Sequence, residues 1–147
     1  MFYSDYVPVV NLIGILFQIR DDYQNLQDNQ YTNNKGLCED ITEGKFSFPI
    51  IHAILSRPDD RQLISTDSSC EIDWLLDILK QHPTSPDIKM YCVQYMREET
   101  HSFEYTGAVL QELDLGARKE IDRLGGNKGL VKILDRLRIE SGDEVVV

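Results

Sequence analysis

The sequence predicts an all-α protein, because apolar residues recur at the three- and four-residue spacings of helices along most of its 147 residues. The Pro, Gly and Asn residues that end helices lie between these segments, and no stretch shows the alternation typical of a strand. Hydrophobic residues make up 41% of the chain and charged residues 27%, a balance typical of a globular domain. We therefore expect a helical bundle that spans residues 1–147.

The first half of the chain predicts two helices separated by polar connections. The first helix covers Val9 to Leu26 and is apolar on most sides. Residues 27–36 are rich in Asn, Gln and Asp and predict a mobile loop, which a second short connection over 37–47 follows. Pro49 then suits the first turn of a short apolar helix.

The second half predicts four more helices. Leucine spacing predicts a helix over 72–79, and a new apolar stripe begins at Ile88, after two prolines. A long stripe starts at Phe103 and ends before the glycine pair 125–126, which is a typical helix stop. The tail 141–147 is expected to fray. The last helix carries Leu130, Leu134 and Leu137.

Composition excludes several classes of function. The formal net charge of -10 argues against a nucleic-acid-binding surface, which needs clustered Lys and Arg. No apolar run is long enough for a membrane span, and no signal peptide is evident. The cysteines form no Cys-x-x-Cys pair and indicate a reducing compartment, so we expect a cytoplasmic protein. They are Cys38, Cys70 and Cys92.

One face of the first predicted helix carries an unusual polar set. These residues occupy positions i, i+3, i+4 and i+7 and are Gln18, Asp21, Asp22 and Asn25. Adjacent carboxylates in an apolar helix repel each other unless a cation compensates them, and Mg²⁺ prefers such oxygen ligands. The alternative is a solvated acidic pair near the end of the helix. Spacing alone leaves both interpretations open.

Longer strings carry a family resemblance. FQIRDDY at 17–23 and EDITEGKFSFPIIHAI at 39–54, with Lys35 between them, resemble the trans-prenyl diphosphate synthases, most closely the eukaryotic geranylgeranyl diphosphate synthases. Weaker similarity continues through SFEYT at 102–106 and RLGGN at 123–127. The resemblance implies the C-terminal half of an isoprenoid-synthase-type helical bundle.

The resemblance also implies an activity and a site. The reaction would be the condensation of isopentenyl diphosphate with an allylic diphosphate in a homo-oligomeric enzyme, and no residue is predicted to act as a catalytic acid, base or nucleophile. Asp21 and Asp22 would hold Mg²⁺ against the allylic diphosphate. The residues that would bind that diphosphate are Gln18, Lys35 and Lys45. Those that would line the cavity wall are Gly14 and Phe17.

The sequence departs from the family pattern in two ways. The second aspartate-rich motif ends in Asn25, an uncharged and therefore weaker metal ligand than aspartate. The first aspartate-rich motif and the basic residues for isopentenyl diphosphate are absent, so we expect this chain alone to be inactive. The alternative is a non-catalytic half-length subunit that binds a full-length synthase. A class I terpene cyclase is disfavoured, because its Asn-Ser/Thr-Glu triad is not found.

Overall fold

The computed structural model describes residues 4–27, 38–56 and 74–139. Helices dominate these ranges, and no strand occurs within them, so the predicted all-α class is confirmed. In chain order the helices are α1 (Val7–Gln27), α2 (Glu39–Glu43), α3 (Phe48–Leu55), α4 (Trp74–Lys80), α5 (Pro86–Glu98), α6 (Ser102–Arg123) and α7 (Lys128–Leu137). Lys35, most of the predicted loop 27–36 and the tail 141–147 lie outside the described residues.

Helix starts follow the proline positions closely. Pro49 lies in the first turn of α3, as predicted, because a proline there loses no helical hydrogen bond. The same reason lets α5 begin at Pro86, two residues before the predicted start at Ile88. At α1, the side chain of Asp5 accepts a hydrogen bond of 3.0 Å from the backbone N–H of Val7, which satisfies one free donor of the first turn.

The five-residue helix α2 lies where the sequence predicted only a connection, so that part of the prediction was wrong. Its local signals are weak: the N-cap residue Cys38 has a left-handed backbone and makes no side-chain cap. A capping contact comes instead from α1, because Asn25 Oδ1 accepts a hydrogen bond of 3.2 Å from the backbone N–H of Asp40. Helix α2 therefore depends on a contact distant in sequence.

The ends of the last two helices follow the sequence signals. Gly125 and Gly126 have φ values of 98° and 88°, and the N–H of Gly126 donates to the carbonyl of Ile121 at 2.9 Å, which ends α6 as predicted. Helix α7 starts after Asn127, whose side-chain oxygen accepts a hydrogen bond of 3.1 Å from the N–H of Leu130.

Two compact units make up the chain. The central unit comprises residues 21–107 and the terminal unit residues 1–20 with 108–147. The core of the central unit is formed by Leu26, Cys38, Ile41, Ile50, Ala53, Leu75, Leu79, Cys92, Val93, Met96 and Phe103. The buried apolar residues of the terminal unit are Val9, Leu16, Ile19, Leu110, Ala117, Ile121 and Leu134. Among the described helices, none is both long and apolar enough to cross a bilayer.

Replacing the cap of α7 tests its local stabilisation. We expect Asn127→Ala to lower the free energy of unfolding by about 1 kcal/mol, because the N–H of Leu130 loses its acceptor. Urea denaturation followed by circular dichroism measures this change. Asn127→Asp keeps the acceptor and should stay close to the wild type, so equal losses in the two variants would contradict the capping role.

Candidate functional site

Asp22 is the buried centre of the predicted site. Its residue is 5% exposed, yet both carboxylate oxygens have donors. Oδ1 accepts a hydrogen bond of 2.8 Å from Lys45 Nζ, and Oδ2 accepts one of 3.0 Å from the backbone N–H of Phe48, the first residue of α3. A buried carboxylate is tolerated when charged and neutral donors compensate it in this way. The contacts join α1, the segment after α2 and the start of α3.

Lys45 is held by Asp22 but remains accessible. Its side chain is 38% exposed, and the hydrogen bond to Asp22 raises the pKa of the Lys45 ammonium above its ordinary value. An ammonium has three N–H donors, of which Asp22 accepts one. The partly exposed remainder is available to an anionic ligand.

Asp40 is a second buried acid beside Lys45. Its Oδ2 lies 3.8 Å from Lys45 Nζ, a distance too long for a hydrogen bond, and among the described residues this oxygen has no hydrogen-bond partner. Burial raises the pKa of Asp40 to about 6, against the opposing effect of Lys45. Sequence reasoning missed this residue, although it lies within the string 39–54; the only available signal was an acid five residues before the lysine.

The turn between α2 and α3 directs Lys45 back toward α1. Gly44 adopts φ 67°, a left-handed conformation that glycine reaches without strain, and the N–H of Lys45 donates to the carbonyl of Asp40 at 2.9 Å. A Cβ on Gly44 would lie 3.0 Å from the carbonyl oxygen of Leu79 and 2.9 Å from a ring carbon of His82. The close approach of α4 therefore also requires glycine here.

Asp21 has an exposed side chain, whereas the adjacent Asp22 is buried. Gln18, also exposed, precedes Asp21 by three residues in α1, so the helical repeat puts the two on one face of that helix. Lys35, the remaining predicted ligand, lies outside the described residues. The structure thus brings Asp22 and Lys45 into contact and leaves Asp21 oriented toward solvent.

The carboxylates of the site can be compared with the ligands that Mg²⁺ requires. Among the described residues, no group of three or more His, Cys, Asp or Glu side chains could hold a metal by itself. Both oxygens of Asp22 already have donors, whereas Asp21 offers an exposed carboxylate. Mg²⁺ is commonly bound by one or two carboxylates and completes its shell with water and phosphate oxygens. The residues present therefore fit a magnesium ion that a phosphate ligand helps to bind.

Comparisons with known proteins test the resemblance that the sequence strings predicted. A family model described as polyprenyl synthetase matches residues 2–96. A geranylgeranyl pyrophosphate synthase of Mucor circinelloides f. lusitanicus is 49% identical over 140 residues, which cover 95% of this chain and 42% of that protein. One from Hericium erinaceus is 47% identical over 135 residues, which cover 92% and 36%. A terpene synthase of Matsumurasca onukii is 48% identical over 134 residues, which cover 91% and 40%.

These comparisons confirm the resemblance that the sequence strings predicted. The chain spans less than half the length of each of these three relatives.

Replacing Lys45 and replacing Asp22 should lower the free energy of unfolding by different amounts. We expect Lys45→Met to lower the free energy of unfolding by about 1–2 kcal/mol, a cost reduced by the partial exposure of Lys45, because the buried Asp22 loses its charged donor. Asp22→Asn should cost less, since its amide oxygen can still accept from Phe48 and Lys45 can turn to solvent. Urea denaturation of both variants tests this order, and the reverse order would contradict it.

The raised pKa of Asp40 predicts a pH dependence. An acid whose pKa is higher in the folded protein stabilises it most at low pH, and this contribution falls as the pH rises from the unfolded pKa of 3.8 to about 6. Asparagine does not titrate. The difference in unfolding free energy, Asp40→Asn minus wild type, should therefore increase by up to about 3 kcal/mol between about pH 4 and about pH 7.

Urea denaturation of both proteins across this pH range measures the difference. Asp87→Asn, at an exposed position of α5, serves as the control and should show a nearly constant difference from the wild type. A constant difference for Asp40→Asn as well would contradict the assignment.

Proposed function

Because the chain belongs to the polyprenyl synthetase family, we propose that it forms part of the active site of a prenyltransferase that condenses isopentenyl diphosphate with an allylic diphosphate. The relatives named geranylgeranyl pyrophosphate synthases suggest a geranylgeranyl product. Since the chain covers 42% of the Mucor relative, the activity is proposed for the complete enzyme rather than for these residues alone. Homo-oligomerisation and a cytoplasmic location stay predictions.

The proposal rests on the exposed face of α1, which changes from apolar to polar toward the C-terminal end of the helix. Val7, Val10 and Phe17 are 62%, 58% and 55% exposed, and Gly14 between them leaves open space. By the helical repeat, these positions share a face with Gln18 and Asp21, which follow toward the C-terminal end of α1. An apolar stretch followed by oxygen ligands suits a molecule with an apolar chain and an anionic head, as an allylic diphosphate is.

Each polar residue then has a distinct proposed role. Asp22 positions Lys45, and Lys45 donates to diphosphate oxygens, so that it neutralises charge that accumulates on the leaving group. Lys35 would contribute a second cation. Gln18 would contact the diphosphate, and Asp21 would hold Mg²⁺, which when bound supplies further stabilisation of that negative charge. Holding these groups in place before the bond breaks lowers the barrier, because they need no reorganisation during the reaction.

A matched pair of variants tests the role of Asp21. In a condensation assay with labelled isopentenyl diphosphate, an allylic diphosphate and Mg²⁺, we expect Asp21→Asn to lower kcat/KM on the order of a hundredfold or more. Asp87→Asn makes the same change at an exposed position of α5 and should leave activity unchanged. The assay uses both the 147-residue chain and the longest chain that its gene encodes.

The outcomes separate the two candidate functions. Product from the longer chain, lost in Asp21→Asn alone, supports the prenyltransferase. Equal activity of the two variants contradicts the role of Asp21. Absence of product from both chains favours the second candidate, a non-catalytic subunit that covers the exposed apolar residues of α1 with a full-length synthase. Co-elution with such a synthase in gel filtration then tests that candidate.

A further inference from the structure

Helix α7 is basic within an acidic chain. Between Lys128 and Leu137 the sequence carries three Lys or Arg and one Asp, which gives a formal net charge of +2 in a chain of net charge -10. This local excess of positive charge suits a partner of negative charge.

Helix α7 arranges three of these cations on one face. Lys128, Lys132 and Arg136 follow one another at intervals of four residues, and all three are exposed. Within the described part of the chain, no ion pair or side-chain hydrogen bond involves them. Ile133, 46% exposed, borders the same face, while Leu134 is fully buried on the opposite side. We call Lys128, Lys132, Ile133 and Arg136 the basic face.

Three acids of the terminal unit pair with cations outside the basic face. Asp135 of α7 lies 2.8 Å from Arg118, whose Nε also contacts Asp114 at 3.0 Å. Glu120 pairs with Arg123 at 2.9 Å. These pairs engage arginines of α6 rather than the cations of α7, so the basic face keeps its full charge.

We propose that the basic face of α7 is a docking surface for an anionic membrane. Each Lys or Arg near such a surface is attracted by acidic lipid headgroups. The attraction and any repulsion act over a Debye length of about 8 Å at physiological salt, so distant acids of this chain contribute little. Ile133 adds an apolar side chain that can enter the headgroup region, a feature that favours a bilayer over a nucleic acid.

Three cations and one aliphatic side chain give reversible attachment rather than permanent anchoring, since stable anchoring requires a second strong signal. The inference goes beyond the proposed function and does not depend on it. If that function holds, attachment would bring the enzyme close to a bilayer into which long prenyl chains partition. Glu140, Asp143 and Glu144 follow α7 outside the described residues, so binding must be measured on the full chain, which includes their charge.

Vesicle sedimentation tests the proposal. The 147-residue protein is mixed with vesicles of phosphatidylcholine alone or with about 30 mol% phosphatidylserine, an anionic lipid. We expect binding to the anionic vesicles only. Lys132→Gln should lower the partition coefficient about fivefold, and the triple variant Lys128→Gln, Lys132→Gln, Arg136→Gln on the order of a hundredfold. Salt at about 1 M should abolish binding, because the Debye length falls to about 3 Å.

Lys80→Gln is the matched control, because Lys80 is exposed at the end of α4 and outside the basic face. Circular dichroism should show the same helix content in every variant. The proposal is overturned by equal binding to both vesicle types, by an equal loss in Lys80→Gln and Lys132→Gln, or by no binding to anionic vesicles. Capture by a DNA duplex without vesicle binding would also overturn it. Because the measurement needs no turnover, its outcome is separate from that of the condensation assay.

Discussion

The buried charge of Asp22 is the constraint on which the central unit's polar architecture depends. A carboxylate that is 5% exposed must be compensated, and two other segments of the chain meet this requirement together. Helix α1 provides the carboxylate, the turn after α2 provides Lys45, and α3 provides the N–H of Phe48. Satisfying one ion therefore positions three segments relative to one another, and it places a partly exposed ammonium at a defined point.

The short helix α2 is understandable only within this arrangement. Five residues are too few to form a stable helix by themselves, because nucleation costs more than so few hydrogen bonds return. Asn25 satisfies an N–H in its first turn, and the left-handed Gly44 ends it. Asn25 is also the position where the family motif usually has aspartate. Its amide oxygen accepts from the backbone without adding a third charge next to Asp21 and Asp22.

The sequence predicts the long helices well, because their apolar repeats and end signals are local. Helix α2 escapes such prediction because its capping residue lies 15 positions away. The acidic pair shows the same limit at the site. Adjacent residues point about 100° apart on a helix, so one of Asp21 and Asp22 can be buried while the other is exposed. Which one is buried follows from the positions of Lys45 and Phe48, and spacing in α1 contains no information on either. Asp40 was not predicted for the same reason, since its burial arises from packing.

The different environments of the two acids also divide the electrostatic tasks of the site. Lys45 is fixed in place by Asp22, but the same contact offsets part of its positive charge, and ionised Asp40 at 3.8 Å offsets more. An ammonium whose charge is partly offset in this way orients an anion through its hydrogen bonds but attracts it only weakly. An anionic ligand therefore needs additional positive charge, which Asp21 can supply only by binding a cation. Under the proposed function the exposed carboxylate and the buried one would be complementary: Asp22 fixes the position of Lys45, and Asp21, by binding a cation, would restore the positive charge that Lys45 has lost.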